Sequence, residues 1–373
     1  MVAKFAIQRL FGAAGIVING PNLWDPQILD NRWYRRVLLQ GSVGLGDSYM
    51  DGWWNCSDIA GLIERIIKSG IHLRIPRLDV LLRRLRFGVI DAQNRTRSKR
   101  VAEVHYDEDP QFFDILLGRT TNYTCGRWDG VLLLDEAQDQ KMDLICRKAF
   151  LGTGKTVLDI GSGWGGFLGY AGQHYGSSGI GLTISQTQRK YAAERYRDLP
   201  LEFRLQDYRD FSGKVDAVVS ICVIEHVGPS HYREYFQKAC DSLARKDGVF
   251  VMQCILACDK RATMDPWTEK HIFPNGMLPT LGQIREATQD IFHLLDQELF
   301  PEDYVKTFVG WRENLVRHRN EIVKMYGLRY YRKYDFYLSL YIAGFGSGRI
   351  SVGQFVFSPA DLRNTYKPVR LSV

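Results

Sequence analysis

The stretch KTVLDIGSGWGGF (residues 155–167) decides the fold that we predict for this chain. An apolar run around Val157 leads through Asp159 into a cluster of four glycines, Gly161, Gly163, Gly165 and Gly166. A buried parallel strand that ends in a glycine-rich turn before a helix is typical of nucleotide-cofactor sites, because glycines let the backbone approach the ligand closely. The stretch therefore predicts an α/β fold with a cofactor bound at the turn.

The glycine spacing fits two kinds of cofactor, a nicotinamide dinucleotide or S-adenosylmethionine. A dinucleotide site carries an acidic residue about 20 positions further on, at the end of the next strand, where it binds the ribose. The next predicted strand runs into TISQTQ (183–188), which contains no acid. This absence, together with Asp159 inside the first strand and the tight turn GSGWGG, favours a methyltransferase that uses S-adenosylmethionine.

Length and composition indicate a globular protein of two domains. The chain has 373 residues, of which 45% are hydrophobic. No run approaches the roughly 20 apolar residues of a membrane span, and an arginine interrupts the apolar N-terminus, so we expect a cytoplasmic protein without a signal peptide. The seven cysteines lack paired metal spacings, so we expect reduced thiols and no metal site.

Basic residues are concentrated between Arg74 and Arg100, where nine Arg or Lys residues face only Asp79 and Asp91. Leucines alternate with these charges. The pattern fits a solvated helix face, and it equally fits a segment that lies on an anionic membrane surface. No motif of a nucleic-acid-binding fold is present in the sequence, so we expect no nucleic-acid partner.

The apolar pattern divides the chain into a mostly helical N-terminal domain (1–95) and a catalytic domain (96–373). In the first, helices are predicted over 26–39 and 57–69, with GSVGLGDSYMDGWW (41–54) as a loop between them. In the second, helices alternate with strands predicted over Thr156–Ile160, Ser178–Leu182, Leu201–Leu205, Val215–Ser220, Val249–Ile255 and Ile350–Phe357. Strands joined by helices predict a parallel, doubly wound sheet with its site at the carboxyl ends of the strands.

A series of motifs along nearly the whole chain carries a family resemblance. They are GSVGLGDSYMDGWW (41–54), HYD (105–107), NYTCGRW (122–128), VLDIGSGWGGF (157–167), LTISQTQ (182–188), LQDYRD (205–210), EHVGP (225–229), DPW (265–267), IFPNG (272–276) and GQFVFS (353–358). With them the chain resembles the cyclopropane-fatty-acyl-phospholipid synthases. EHVG combined with IFPNG is specific to this family, whereas the glycine turn alone is not. The resemblance implies a class I S-adenosylmethionine-dependent methyltransferase fold, a Rossmann-like doubly wound sheet, with a smaller helical N-terminal domain.

The resemblance also implies which residues bind S-adenosylmethionine. The glycines would hold the methionine portion, the stretch from Thr183 to Gln188 would approach the ribose and adenine, and Tyr123 and Thr124 would close over the cofactor. The full implied set is Tyr123, Thr124, Asp159, Gly161, Ser162, Gly163, Trp164, Gly165, Thr183, Ile184, Ser185, Gln188, Gln206 and Asp207.

Members of the family bind a bicarbonate ion at the reaction centre, and the matching positions here are Cys125, Glu225, Gln253, Ile255 and Tyr304. Glu225 is the residue that we favour first, since it follows a strand in the motif EHVG. The chain departs from the family at Gln253, where a histidine is more usual. A glutamine amide donates a hydrogen bond to an anion but takes up no proton.

The implied activity is transfer of a methylene group from S-adenosylmethionine to the cis double bond of a phospholipid acyl chain, with bicarbonate as general base. Alternatives are a related enzyme that makes a methyl- or methylene-branched chain, and a small-molecule C-methyltransferase. The substrate implies peripheral contact with the inner face of the cytoplasmic membrane, through the N-terminal domain and the basic stretch. The family also implies a homodimer.

Overall fold

A computed structural model describes residues 2–73, 109–259 and 264–371. The first of two compact units comprises the described parts of Met1–Asn94, Met264–Asn275 and Phe308–Arg349, and the second those of Arg95–Thr263, Gly276–Thr307 and Ile350–Val373. The predicted domains are continuous in sequence, whereas the first unit also takes in two later segments; their assignment as domains stays a prediction. The basic stretch 74–100 and the motif HYD (105–107) lie outside the described residues.

Helices and strands alternate along most of the described chain. The helices are α1 (Val2–Gly12), α2 (Arg32–Met50), α3 (Ile59–Lys68), α4 (Pro110–Leu117), α5 (Leu134–Lys148), α6 (Gly166–Tyr175), α7 (Gln186–Arg195), α8 (Tyr232–Ser242), α9 (Pro266–His271), α10 (Leu281–Thr288), α11 (Pro301–Arg317), α12 (Arg319–Tyr326) and α13 (Leu328–Gly346). The strands are β1 (Gln27–Ile28), β2 (Trp54–Asn55), β3 (Thr156–Ile160), β4 (Ser178–Thr183), β5 (Leu201–Leu205), β6 (Ala217–Ile221), β7 (Val249–Ala257), β8 (His293–Leu299) and β9 (Ile350–Ser358). None of these helices combines the length and the apolar character that crossing a bilayer requires.

The predicted loop over residues 41–54 is wrong for most of its length, because α2 continues to Met50. Gly41 interrupts the helix with non-helical angles (φ 55°, ψ −127°), and helical geometry resumes after it. The following glycines serve close packing. A Cβ atom on Gly46 would lie 2.4 Å from the indole nitrogen of Trp267 and 2.7 Å from the ring of Phe336, so glycine lets α2 approach both side chains.

Polar contacts of the same stretch tie the first unit together. The buried carboxylate of Asp47 accepts hydrogen bonds from Lys270 and His271, each at 2.6 Å. The Tyr49 hydroxyl donates to Asp335 Oδ2 at 2.6 Å. These contacts hold α2 against α9 and α13, so the stretch that the sequence marks as unusual is here a packing element.

The second unit contains a seven-stranded sheet in the order β5-β4-β3-β6-β7-β9-β8. The first five strands are parallel, as predicted, which confirms the α/β fold. The sheet departs from the predicted parallel arrangement at one edge, where β9 runs antiparallel between β7 and β8. Strand β8 was not predicted, because its sequence HLLDQEL has three adjacent charged and amide residues and no apolar run.

Apolar side chains cover both faces of this sheet, as expected for parallel strands. One core contains Phe236, Phe250 and Phe357, and the opposite core contains Phe167 and Val251. From β3 the chain first adds β4 and β5 on one side of this strand, and then reverses direction to add β6 and β7 on the other side. A ligand site is expected at the carboxyl ends of the strands beside this reversal.

Candidate active site

The glycine turn follows β3 at its carboxyl end. The N–H groups of Gly161 and Ser162 donate to the Leu182 carbonyl oxygen at 2.9 and 2.8 Å, which fixes the turn against β4. A Cβ atom on Gly161 would lie 2.4 Å from Val223, whereas one on Gly163 would meet no atom of the described residues within 4 Å. Gly163, at φ 52°, therefore borders open space.

Polar residues meet at the ends of β4 and β5. The Thr183 hydroxyl donates to Gln188 Oε1 at 2.9 Å, and the Ser185 hydroxyl accepts from the Gln188 N–H at 3.2 Å, which caps α7. The Gln206 N–H donates to the Thr183 carbonyl at 3.0 Å. The structure thus brings together Thr183, Ser185, Gln188 and Gln206, with Ile184 within the same turn.

Asp207 follows Gln206, but its carboxylate is bound to Arg209. The Arg209 side chain donates to its two oxygens at 2.8 and 2.5 Å, and the Arg209 N–H donates at 3.0 Å. The carboxylate therefore caps its own short turn, and any contact with a ligand would have to compete with these bonds.

An aromatic group connects Tyr123 to the glycine turn. The ring of Phe113 lies 5.3 Å from that of Tyr123 and 5.5 Å from that of Trp164, between ring centres. Trp164 is buried within the turn. Tyr123 and Trp164, which are far apart in sequence, therefore share one cluster.

Lys141 is a candidate site residue that the sequence analysis missed. Its side chain is fully buried, and Nζ donates to Thr124 Oγ1 at 2.9 Å. Burial lowers the pKa of this ammonium to about 8, and the nearby Asp159 carboxyl group is among the groups that oppose that fall. A signal was present: Lys141 shares the buried stripe of α5 with Gln138 and Ile145, so a lysine occupies a position that periodicity assigns to the core.

Asp159 lies near Lys141 and is 2% exposed. Burial raises the pKa of its carboxyl to about 7, and the positive charge of Lys141 opposes that rise. Its Oδ1 atom is buried without a hydrogen-bond partner in the described chain. An orphaned carboxylate oxygen beside an open glycine turn fits a ligand that carries a positively charged group.

Glu225 lies in a short 3₁₀ turn, Ile224–His226, that follows β6. Its side chain is buried, and Oε1 accepts a hydrogen bond from the Ile255 N–H at 2.7 Å. Oε2 is buried and makes no well-formed hydrogen bond within the described residues. Burial raises the pKa of Glu225 to about 7, opposed by the Ile255 N–H and by the neighbouring Cys222 thiol. The carboxyl can therefore exchange a proton near neutral pH.

Gln253 connects Cys125 to the residue that follows β6. Gln253 Nε2 donates to the Cys125 carbonyl oxygen at 3.3 Å, and the Gln253 carbonyl accepts from the Cys222 N–H at 2.7 Å. Cys125 is fully buried, and burial raises the pKa of its thiol well above its usual value, so it is a neutral group and no nucleophile. Tyr304 is buried in the first turn of α11.

A doubly wound sheet with this glycine turn, an acid at the end of its first strand and a buried glutamate after β6 defines a class I S-adenosylmethionine-dependent methyltransferase. More narrowly, the chain belongs to the mycolic acid cyclopropane synthetase family, whose sequence model matches residues 93–355.

Similar proteins agree with this assignment. The cyclopropane-fatty-acyl-phospholipid synthase of Escherichia coli (strain K12) is 36% identical over 351 residues, which cover 94% of this chain and 92% of that protein. A solved structure, that of the cyclopropane synthase MmaA2 from Mycobacterium tuberculosis, is 27% identical with a TM-score of 0.67, covering 72% of this chain and all of that chain. A mycolic acid cyclopropane synthase solved in complex with SAH and CTAB is 27% identical with a TM-score of 0.65, covering 70% of this chain and 98% of that chain.

The predicted family is therefore confirmed, and with it the prediction of an S-adenosylmethionine-dependent transferase. The family transfers a methylene group from S-adenosylmethionine to unsaturated acyl chains, so the predicted type of reaction is also confirmed. The roles of individual site residues stay predictions.

Proposed function

We propose that this enzyme converts the cis double bond of a phospholipid acyl chain into a cyclopropane ring. The similarity to the E. coli synthase over 94% of the chain supports a phospholipid as the substrate. An isolated alkene is a weak nucleophile, so the enzyme has to hold it in line with the methyl donor and exclude water. The burial of Asp159, Trp164 and Glu225 in the second unit supports such an environment.

The residues at the glycine turn fit S-adenosylmethionine, which supplies the sulfonium methyl group when bound. Gly163 borders open space, and Asp159 Oδ1 is available for the ammonium group of the methionine portion. Thr183, Ser185 and Gln188, already joined by hydrogen bonds, would line the ribose and adenine side. Lys141 would position Thr124 through its 2.9 Å hydrogen bond.

Glu225 is the residue that we propose for the proton-transfer step. Bicarbonate, held by Cys125, Glu225, Gln253, Ile255 and Tyr304, would supply the base that removes a proton from the transferred carbon. Glu225 Oε2, which is buried and makes no well-formed hydrogen bond with the described residues, would hold the anion and take up a proton. A carboxyl pKa of about 7 suits this role, because the group is largely ionised slightly above neutral pH and still accepts protons there.

A direct assay tests the proposal. Purified enzyme, S-adenosylmethionine, bicarbonate and vesicles of cis-monounsaturated phospholipid should yield acyl chains that gain one carbon. Proton NMR should show upfield cyclopropane signals and loss of the olefin signal, and Glu225→Gln should abolish both changes. An added carbon without ring protons would instead indicate the methyl- or methylene-branched alternative. A water-soluble methyl acceptor turned over in preference to vesicles would indicate the small-molecule C-methyltransferase.

We also propose reversible membrane contact, because the substrate lies in a bilayer and the chain carries a net charge of +7. If charge drives the contact, binding to anionic vesicles should weaken as salt rises. Equally tight binding to neutral vesicles would exclude a role for the basic stretch 74–100. A homodimer, implied by the family, is tested by sedimentation velocity on the purified protein, where a mass near the monomer's 42.9 kDa would exclude it.

A further inference from the structure

A chain of three hydrogen bonds leads from a buried lysine to the proposed anion site. Lys148 Nζ donates to Gln354 Oε1 at 3.0 Å. Gln354 Nε2 donates to Gln253 Oε1 at 2.9 Å, and Gln253 Nε2 donates to the Cys125 carbonyl oxygen at 3.3 Å. Gln253 and Gln354 are direct cross-strand neighbours on β7 and β9, so the sheet itself sets them side by side.

The direction of this chain is fixed at its lysine end. An ammonium group donates hydrogen bonds and accepts none, so Gln354 must turn its oxygen towards Lys148 and its NH₂ group towards Gln253. Gln253 must then accept through its oxygen and present its own NH₂ group towards Cys125. Without Lys148, either amide could rotate by half a turn, since the two ends of an amide are nearly equal in shape.

Acidic residues hold the lysine in place and charged. Lys148 Nζ lies 3.1 Å from Glu298 Oε2 and 3.5 Å from Asp296 Oδ2, and the lysine side chain is fully buried. Arg127 and Arg370 in turn bind the two acids at 2.6 Å each. The ammonium therefore belongs to a cluster of three cations and two carboxylates and is not a lone buried charge.

We propose that Gln354 and Lys148 are positioning residues that point the Gln253 amide NH₂ group into the bicarbonate site. One hydrogen of this group serves the Cys125 carbonyl, and the second is then directed to the anion. The inference deepens the proposed function and rests on it. It also accounts for a glutamine at position 253. Because Gln354 sets the orientation of the Gln253 amide, this side chain supplies a fixed hydrogen-bond donor and stays neutral.

The test is Gln354→Glu in the full-length enzyme. A carboxylate at this position still accepts from Lys148 but cannot donate to Gln253, whose NH₂ group should then turn towards it. We expect the KM for bicarbonate to rise about tenfold or more, as for loss of a hydrogen bond to a charged group, while the KM for S-adenosylmethionine changes less than twofold. Gln354→Met, which removes donor and acceptor without adding a charge, should shift the bicarbonate KM in the same direction and serves if the glutamate variant does not fold.

A double variant separates positioning from general damage. In a Gln253→Leu background, Gln354→Glu should cause no further rise in the bicarbonate KM, because its effect acts through Gln253. An additional rise of the same size in that background, or equal changes in both KM values, would overturn the proposal.

The NMR spectrum of the glutamine side-chain amides tests the orientation of Gln253 independently of whether bicarbonate is the base. With ¹⁵N-glutamine labelling, the Gln253 NH₂ resonance, assigned through Gln253→Leu, should shift in Gln354→Glu. If wild-type turnover is independent of bicarbonate, the proposed base is wrong, and the resonance shift still shows whether Gln354 orients Gln253. An unchanged resonance would refute the orientation itself.

Discussion

Replacing Glu225 with glutamine should make the protein more stable at alkaline pH while it abolishes turnover. Burial raises the carboxyl pKa from its ordinary 4.5 to about 7, so the folded protein binds this proton more tightly than the unfolded chain does. The resulting stabilisation is complete below pH 4.5 and is lost as the pH rises through 7. At about 1.4 kcal/mol per pKa unit, the loss amounts to about 3 kcal/mol at pH 8.

A glutamine at this position keeps the shape of the protonated acid and never ionises. The free energy of unfolding of Glu225→Gln should therefore exceed that of the wild type by about 3 kcal/mol at pH 8, and by about 1 kcal/mol or less at pH 5. Urea unfolding of both proteins at the two pH values, without ligands, measures this difference. Groups that titrate equally in both proteins, such as Asp159, cancel in the comparison.

Glu202→Gln is the matched control, since Glu202 is exposed on β5 and bound to Arg204. It should show no gain in stability between pH 5 and pH 8. If Glu225→Gln and the wild type lose stability in parallel as the pH rises, the carboxyl is not the desolvated acid that its burial implies. The proposed proton acceptor would then have to be another group.

Three further changes test other parts of the molecule. Gly163→Ala should cost about 1 kcal/mol for an alanine at positive φ and weaken S-adenosylmethionine binding by calorimetry about tenfold, whereas an unchanged affinity would place the cofactor away from the turn. Gly46→Ala should lower the free energy of unfolding by about 1–3 kcal/mol through its clash with Trp267. A much smaller change is expected for Gly12→Ala, where no atom of the described residues lies within 4 Å of the added carbon. Lys141→Met should raise the pKa of Asp159, because the substitution removes the positive charge that lowers this pKa. The affinity for S-adenosylmethionine should then fall at pH 7 and recover towards pH 9. A loss of affinity that does not depend on pH would contradict this explanation.

Local sequence was sufficient for the strands that bury both faces. Thr156–Ile160 is a strand over the predicted residues, because a strand of a parallel sheet reads as an apolar run wherever it lies. β8 could not be found in this way, since its half-buried residues gain their place from pairing with β9. Gly46 was misassigned to a loop for a similar reason. A glycine is required at this position because Trp267, far along the chain, occupies the space that a side chain would fill.

The residues of the candidate site also divide into those that the sequence identified and those that it did not. Glu225 and Gln253 follow or end predicted strands, so the rule for carboxyl ends and the family motifs placed them on one rim. Lys148 and Gln354 were not identified, because their partners come from separate segments and no local pattern joins them. A buried lysine on a helix stripe is a usable signal all the same, since burying an ammonium is costly unless the fold supplies acceptors.

Asp159 and Glu225 show that the role of a buried carboxyl group depends on which neighbouring groups oppose the rise in its pKa. Both carboxyl groups have a pKa raised to about 7 by burial. The charge of Lys141 opposes the rise at Asp159, whereas at Glu225 the opposition comes from neutral groups, the Ile255 N–H and the Cys222 thiol. A carboxylate beside a fixed cation suits the binding of a zwitterionic methionine portion, because both signs of charge are present. A carboxylate stabilised only by neutral dipoles changes its protonation more readily when an anion or a proton arrives, and for this reason we propose Glu225, and not Asp159, as the residue that transfers the proton.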